Sequence, residues 1–357
     1  MYLYNIDTLS FALDYKDYND FISNYIDELK QKKEIARINK SDFNNEKSLI
    51  EINGLTFDVM PNGSPGYAFI LHNSDYEIQF ASVRSNNKDN YPVFIKIKQA
   101  PLWALGVKKA YNNVLFWLKD IFAFPIAEKI NRADLCCHTD MIDFARYDYF
   151  YFKTRANKKN TRINGSTING FEFGVRDSLI YCRVYDKTLE VSEHKNKSWF
   201  NDIWLDNGAD INKVWNVEFE LKRDFLREYN IETVSDFLMY SKSIWQYLTN
   251  QWIVLTLNDC SRLENSTVLN EWSELSSGFL ELGNKQFIRK EKQLAADKQA
   301  IIAQTFGYIR SYAAFDNISD LSTAVELLLA DLYLFAKEKG KDFASLVSDK
   351  SRLYVRG

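Results

Sequence analysis

Three short runs between residues 130 and 225 alternate over most of their length between apolar and polar or ionisable side chains, and they constrain the chain more than anything else in it. In 179–187, Tyr181, Arg183, Tyr185 and Lys187 occupy every second position, with Ile180, Cys182 and Val184 between them. In 215–223, Glu218, Glu220 and Lys222 alternate with Val217, Phe219 and Leu221. In 132–140, Arg132, Asp134, Cys136, His138 and Asp140 alternate with Ala133, Leu135 and Cys137. Successive side chains of a strand point to opposite faces. Each run therefore reads as a strand that buries one face and presents acids, bases and tyrosine on the other.

The surroundings read as mixed strands and helices. "IDTLSFALD" (6–14) predicts a strand, and the apolar spacing of Phe21, Ile22, Tyr25, Ile26 and Leu29 predicts an amphipathic helix over 18–33. Four strand-like runs follow, "SLIEINGLTFDVMP", "GYAFILHNS", "YEIQFASV" and "VFIKIKQ", with turn chemistry at Asn62-Gly63 and Pro65-Gly66. A second helix is expected over 105–122, a strand at "YDYFYFKTR", a basic loop over 153–170 and a polar connection at "NKSWFNDIWLDNGADINK". Beyond about residue 225 the three long periodic segments are helical, including "VSDFLMYSKSIWQYLTNQWIVLTLN". The expected fold is α+β: an open antiparallel sheet with helices on one face over 1–226, then a mainly helical C-terminal region, 227–357, with the boundary near Arg227. The open polar side of such a sheet is a natural platform for single-stranded nucleic acid.

A formal net charge of −3 argues against a protein that coats nucleic acid non-specifically, but the field that matters is local. "KTRANKKNTR" (153–162) is purely basic and "KQFIRKEKQ" (285–293) mostly so. Cys136, Cys137, Cys182 and Cys260 form no C-x-x-C pair, which speaks for reduced thiols rather than a disulfide framework or a zinc site. No secretory signal precedes the first strand, and the most apolar piece, 245–257, is too short and too polar to span a bilayer. The expectation is a soluble, cytoplasmic protein with no membrane contact.

The polar strand faces suit one chemistry. Hard oxygen donors on Asp134, Glu218 and Glu220 would favour Mg²⁺ or Mn²⁺, and a nearby His138 would tilt the choice toward Mn²⁺. Such an ion is a Lewis acid for a phosphodiester. A tyrosine hydroxyl, with an ordinary pKa of about 10, needs help to attack phosphorus, and Arg183 or Lys187 would stabilise phenolate character. Each feature also has a purely structural reading: a packed strand tyrosine, a salt-bridged face, a hydrogen-bonded surface histidine. Spacing alone does not choose between them.

"FGVRDSLIYCRVYDK", followed about 30 residues later by "WNVEFELKRD", resembles the replication-initiation factor (Rep_trans) family. That family includes the initiators of rolling-circle plasmids and related relaxases of conjugative elements. Its pattern is roughly G-V-R-D-S, a strand ending in R-[IV]-Y-[ND]-K, then W-[RN]-V-E-[IF]-E-L-K-R-D; "NRADLCCH" is similar to its R-x-D-L strand. The resemblance covers about residues 130 to 225, and the N-terminal part only by order of elements. It implies a nicking-endonuclease-like, RRM-related sheet domain that cuts and rejoins one DNA strand through a 5′-phosphotyrosine. Tyr185 is the implied nucleophile, aided by Arg183 and Lys187, and Asp134, Glu218 and Glu220 are the implied ligands of Mg²⁺ or Mn²⁺. Arg176, together with Lys158, Lys159, Lys222 and Arg223, would contact DNA. Four residues after Asp134 the family tends to carry a second aspartate; here His138 stands, either joining the metal shell or not serving as a ligand. Implied partners are the origin duplex, the single strand at the nick, a host helicase and a second copy of the chain. Lys285, Arg289, Lys290 and Lys292 would offer a further surface for duplex or helicase. The same residues also admit a conjugative relaxase or a non-catalytic DNA-binding regulator.

Overall fold

The computed structural model describes residues 1–42, 46–85, 90–280, 305–306, 309–345 and 347–348. Lys285, Arg289, Lys290 and Lys292 lie outside them. The strands in chain order are β1 (Tyr2–Asp14), β2 (Leu49–Ile52), β3 (Leu55–Val59), β4 (Phe69–His72), β5 (Tyr76–Phe80), β6 (Val93–Ile97), β7 (Ala127–Thr139), β8 (Phe152–Thr154), β9 (Lys159–Asn164), β10 (Thr167–Phe173), β11 (Ile180–Asp186), β12 (Trp215–Lys222) and β13 (Ile253–Leu255). Eleven of them form one sheet in the order β2-β3-β4-β5-β6-β1-β7-β12-β11-β10-β9, and β8 pairs with β13 apart from it. From β3 across to β9 every neighbouring pair runs antiparallel. A large antiparallel sheet with helices, followed by helical segments toward the C-terminus, is the architecture the alternation predicts.

The helices are α1 (Tyr18–Ser41), α2 (Gln99–Leu105), α3 (Val107–Lys119), α4 (Lys187–Glu193), α5 (Trp199–Asp206), α6 (Arg223–Glu228), α7 (Val234–Tyr247), α8 (Asn270–Ser277) and α9 (Leu321–Glu338). The chain divides into two compact units, Met1–Ile50 with Phe57–Phe287, and Glu51–Thr56 with Ile288–Gly357. This division does not fall at Arg227, because α7 and α8 pack within the first unit. Trp245 of α7 stands edge-on to Phe219 of β12 at 5.6 Å, and Trp272 of α8 stands edge-on to Phe144 and Phe152. Both tryptophans are fully buried.

Four local expectations change. The helix expected over 105–122 is α3, which starts only at Val107 because Gly106, at φ 75, separates it from the preceding helix α2. The basic loop 153–170 contains a hairpin, β9–β10, whose turn places Gly165 at φ 63. The polar connection contains α5, where Phe200, Ile203 and Trp204 share the buried side at helical spacing. The run 245–257 leaves α7 through a π-helical turn, Leu248–Trp252, into β13, where β-branched Ile253 and Val254 pair with β8.

The packing explains which sheet face is which. Ala133, Leu135, Cys137, Ile180, Cys182, Val184, Val217, Phe219 and Leu221 are all buried on the apolar face. On the polar face, Trp103 of α2 and Phe200, Ile203 and Trp204 of α5 cluster with Leu3, Cys136 and Val214. Helices therefore also cap one end of the polar face, and it stays accessible toward Arg132 and Arg183, whose side chains are 32% and 27% exposed.

The link from β10 to β11 depends on Gly174. Its φ is 88, and a Cβ there would stand 2.9 Å from the Ile180 carbonyl oxygen. Gly174→Ala is expected to cost about 1–3 kcal/mol. Gly208→Ala, at φ 74 with nothing within 4 Å, should cost about 1 kcal/mol from backbone strain alone. Urea midpoints of the two variants check the order.

Candidate active site

The register of β7, β12 and β11 builds the site. Glu218 stands opposite Cys136 on one side and Arg183 on the other, and Glu220 stands opposite Asp134 and Tyr181. Asn216 stands opposite His138 and Tyr185. Because opposite residues of an antiparallel pair point the same way, the three alternating runs merge into one ionisable face. Asp134, Glu218 and Glu220 are buried in it.

Buried carboxylates need cations or hydrogen-bond donors, and each of these has them. Arg132 grips Asp134 with both ends of its fork, at 2.7 Å from Nε and 2.6 Å from Nη2, and reaches Glu220 at 2.9 Å. Arg183 pairs closely with Glu218. It also lies 5.9 Å from the ring centroids of both Tyr181 and Tyr185. Burial opposes its charge, but Glu218, Tyr185 and Asp134 together outweigh this and hold the guanidinium above its ordinary pKa.

Tyr185 is the centre of the hydrogen-bonding. Its hydroxyl donates to Glu218 Oε2 at 3.1 Å and accepts from Lys187 Nζ at 3.1 Å and from Asn216 Nδ2 at 3.0 Å. Burial, and then the neighbouring Glu218, push the phenol well above its ordinary pKa, with Lys187 pulling the other way. Lys187 is completely buried at the start of α4, paired with Glu190 at 2.5 Å. Burial disfavours its charge, yet Tyr185, Asp7 and Glu190 outweigh that and raise its pKa. Glu190 is held in turn by Lys197 at 2.7 Å.

Asn216 could have been found by carrying the Glu218–Glu220 alternation back one step. Asp7 and Glu190 had no local signal. Asp7 enters at a bulge, where the β1–β7 register shifts between Ile6 and Thr8. It accepts hydrogen bonds from the Trp103 indole, from Gln99 Nε2 at 2.7 Å and from the Cys136 thiol at 3.2 Å.

His138 sits at the capped end of the face. Its ring stacks on Trp103 at 4.4 Å and meets Phe200 and Trp204. Trp204 Nε1 donates to its Nδ1 at 3.1 Å. Burial, and then Lys187, hold its pKa well below the ordinary value, so the ring is neutral and Nε2 carries the proton. Ligand-type atoms of Asp7, Cys136 and His138 lie within 4.8 Å of one another. The thiol is held protonated by burial and donates to Asp7, the imidazole lone pair is taken by Trp204, and His138 Nε2 has no hydrogen-bond partner among the described residues.

Asp134, Glu218 and Glu220 are three buried carboxylates on adjacent strands, facing one way, and oxygen donors of this kind suit a hard divalent ion. Among the described residues, however, only Asp7, Cys136 and His138 bring three ligand atoms within 4.8 Å of one another, so the three carboxylates are not gathered around one point. Such an ion would replace guanidinium contacts of Arg132 and Arg183. The remaining basic residues sit at the edges. Lys222 Nζ reaches the Arg176 carbonyl and lies 3.8 Å from Glu220, while Arg223 binds Glu232 and the carbonyl of Ile231. Lys158, Lys159 and Arg176 are exposed around a hollow beside Tyr181.

A scan against models of known protein families finds no match, and a search of curated proteins finds none. Among solved structures, the chain is similar to a rolling circle replication initiator protein from Geobacillus stearothermophilus. The TM-score is 0.45 at 14% identity, over 77% of this chain and 96% of that one. A likeness of this degree carries no argument about the site.

Burial, opposed by Arg132 and reinforced by Glu218 and Glu220, pushes Asp134 up to about 7. The folded chain then keeps this proton up to about pH 7, while an unfolded aspartate releases it near pH 4. Between those values the folded state binds more protons, so Asp134 makes stability fall as pH rises from about 4 to about 7. A carboxyl titration near pH 7, followed by isotope-edited infrared spectroscopy and absent in Asp134→Asn, is the expected outcome.

Proposed function

We propose that the chain nicks and rejoins one strand of DNA through Tyr185 and thereby initiates rolling-circle replication of a plasmid. The observation that carries this reading is the triple hydrogen bond at the Tyr185 hydroxyl. A structural tyrosine needs one partner. This one faces an acceptor for its proton, Glu218, and two donors, Lys187 and Asn216, that can stabilise the oxygen left behind. The resemblance of 130–225 to replication-initiation factors points the same way.

In the proposed step the Tyr185 oxygen attacks phosphorus while its proton passes to Glu218. The new bond is a 5′-phosphotyrosine, the bond that breaks is P–O3′, and the released 3′-oxygen takes up a proton. Lys187 and Asn216 hold the phenolate character of the nucleophile in a dry pocket, where such contacts are strong. Arg183, between the two tyrosine rings, is placed to meet the charge of the phosphate. Mg²⁺ or Mn²⁺ on Asp134, Glu218 and Glu220 would supply Lewis-acid withdrawal of charge from a non-bridging oxygen. Reversal by the free 3′-hydroxyl reseals the strand without an external energy source, because one phosphodiester is exchanged for another.

Lys158, Lys159, Arg176, Lys222 and Arg223 are the proposed DNA contacts, with single-stranded DNA at the nick and the origin duplex as substrates. A host helicase and a second copy of the chain are partners proposed from the resemblance alone. A relaxase of a conjugative element would run the same chemistry. Among the described residues no helix is long and apolar enough to cross a membrane.

Mixing the protein with single-stranded DNA carrying its origin and Mg²⁺ or Mn²⁺ should give a covalent adduct on a denaturing gel. Tyr185→Phe should give none, and Lys187→Met should slow adduct formation by about 10²- to 10³-fold. Origin binding without any adduct would favour the non-catalytic regulator. An adduct that survives Tyr185→Phe would move the nucleophile to another tyrosine.

A further inference from the structure

We infer that the hollow beside Tyr181 is a nucleotide subsite that selects bases carrying an exocyclic amine. The inference rests on the reading that single-stranded DNA reaches Tyr185. The hollow lies between the start of β9 and the turn from β10 to β11, with a volume of about 530 Å³. That is within the usual range of small-ligand pockets, about 300–1,000 Å³. Tyr181 and Tyr185 share one face of β11, four residues apart, so the two positions are about 13 Å from each other along the strand. A single strand lying on that face reaches both.

The chemistry of the hollow has two parts. Lys158, Lys159 and Arg176 are exposed at its rim, and among the described residues none of the three is in an ion pair. They suit a phosphate. Glu172 lies within, beside Tyr181, and its carboxylate accepts hydrogen bonds from Arg162 and from Asn160 Nδ2 at 3.2 Å. A carboxylate has about four acceptor positions, so these two bonds leave room for a ligand that donates. Among bases, cytosine, adenine and guanine present an exocyclic amine on the Watson–Crick edge, and single-strand binding exposes that edge. Thymine presents carbonyl oxygens on either side of one ring N–H, and an ionised carboxylate repels them. Cations around an acid that is only partly satisfied thus form a nucleotide pocket with a built-in preference, not merely a basic patch.

The test uses the full chain and labelled oligo(dC), oligo(dA) and oligo(dT) of about ten nucleotides, a length suited to one single-strand site. Fluorescence anisotropy should show oligo(dC) and oligo(dA) binding about tenfold tighter than oligo(dT). Oligonucleotides of N4,N4-dimethylcytosine, which keep the ring but lack the N–H donors, should fall to the oligo(dT) level; this arm needs no variant. Glu172→Gln should remove the preference, and Arg176→Ala should weaken all three and flatten their salt dependence. Oligo(dT) binding as tightly as oligo(dC), dimethylation without effect, or a preference kept by Glu172→Gln would each overturn the subsite. Failure of the nicking reading would look different: a base preference intact with no covalent adduct at Tyr185.

Discussion

Everything on the polar face depends on buried carboxylates held by fixed cations across three neighbouring strands. Leaving one such ion unpaired in a protein interior costs about 3–5 kcal/mol, so Glu218 and Glu220 are compatible with this fold only while Arg183 of β11 and Arg132 of β7 stay in register with them. A slip of one residue between β12 and either neighbour would turn these ions toward Phe219, Leu135 and Cys182. The ion pairs and the apolar face therefore enforce the same register from opposite sides of the sheet.

The same arrangement sets what Tyr185 can do. Burial alone would leave an inert phenol, because desolvation favours the neutral hydroxyl. Lys187 opposes that, and it stays charged in a fully buried position because Tyr185, Asp7 and Glu190 outweigh burial, with Lys197 holding Glu190 from the solvent side. The aromatic cap of Trp103, Phe200 and Trp204 excludes water from this end of the face, which strengthens each of these contacts. His138, enclosed by that cap and neutral, belongs to the packing that holds Lys187 rather than to the acidic set.

The sheet also has an order that local motifs do not reveal. From the centre outward, one half runs β1, β6, β5, β4, β3, β2 and the other β7, β12, β11, β10, β9. The first strand of each half lies at the middle and the last lies next to it. The two central strands, each of 13 residues, pair along almost their whole length. Yet the acids, Tyr185 and Lys187 all lie in the second half, and the first half contributes Asp7 through a bulge in its central strand.

How much of this was legible in the residues follows from the range of the interactions involved. Period-two alternation made β7, β11 and β12 and their polar faces readable, since which side a residue takes depends only on its own strand. The hairpin at Gly165 and helix α5 were missed because basic and polar composition hid a turn and a buried stripe of Phe200, Ile203 and Trp204. Asp7 and Glu190 could be placed only by pairing and packing across distant segments. By itself, the sequence determined that Asp134, Glu218, Glu220, Arg183, Tyr185 and Lys187 would each stand on the polar side of a strand or at its end. Only the tertiary structure decided that those faces merge, that Asn216 and Glu218 meet the Tyr185 hydroxyl, and that α2 and α5 close over Lys187. Strand order and register depend on residues far apart in the chain, and no local pattern encodes them.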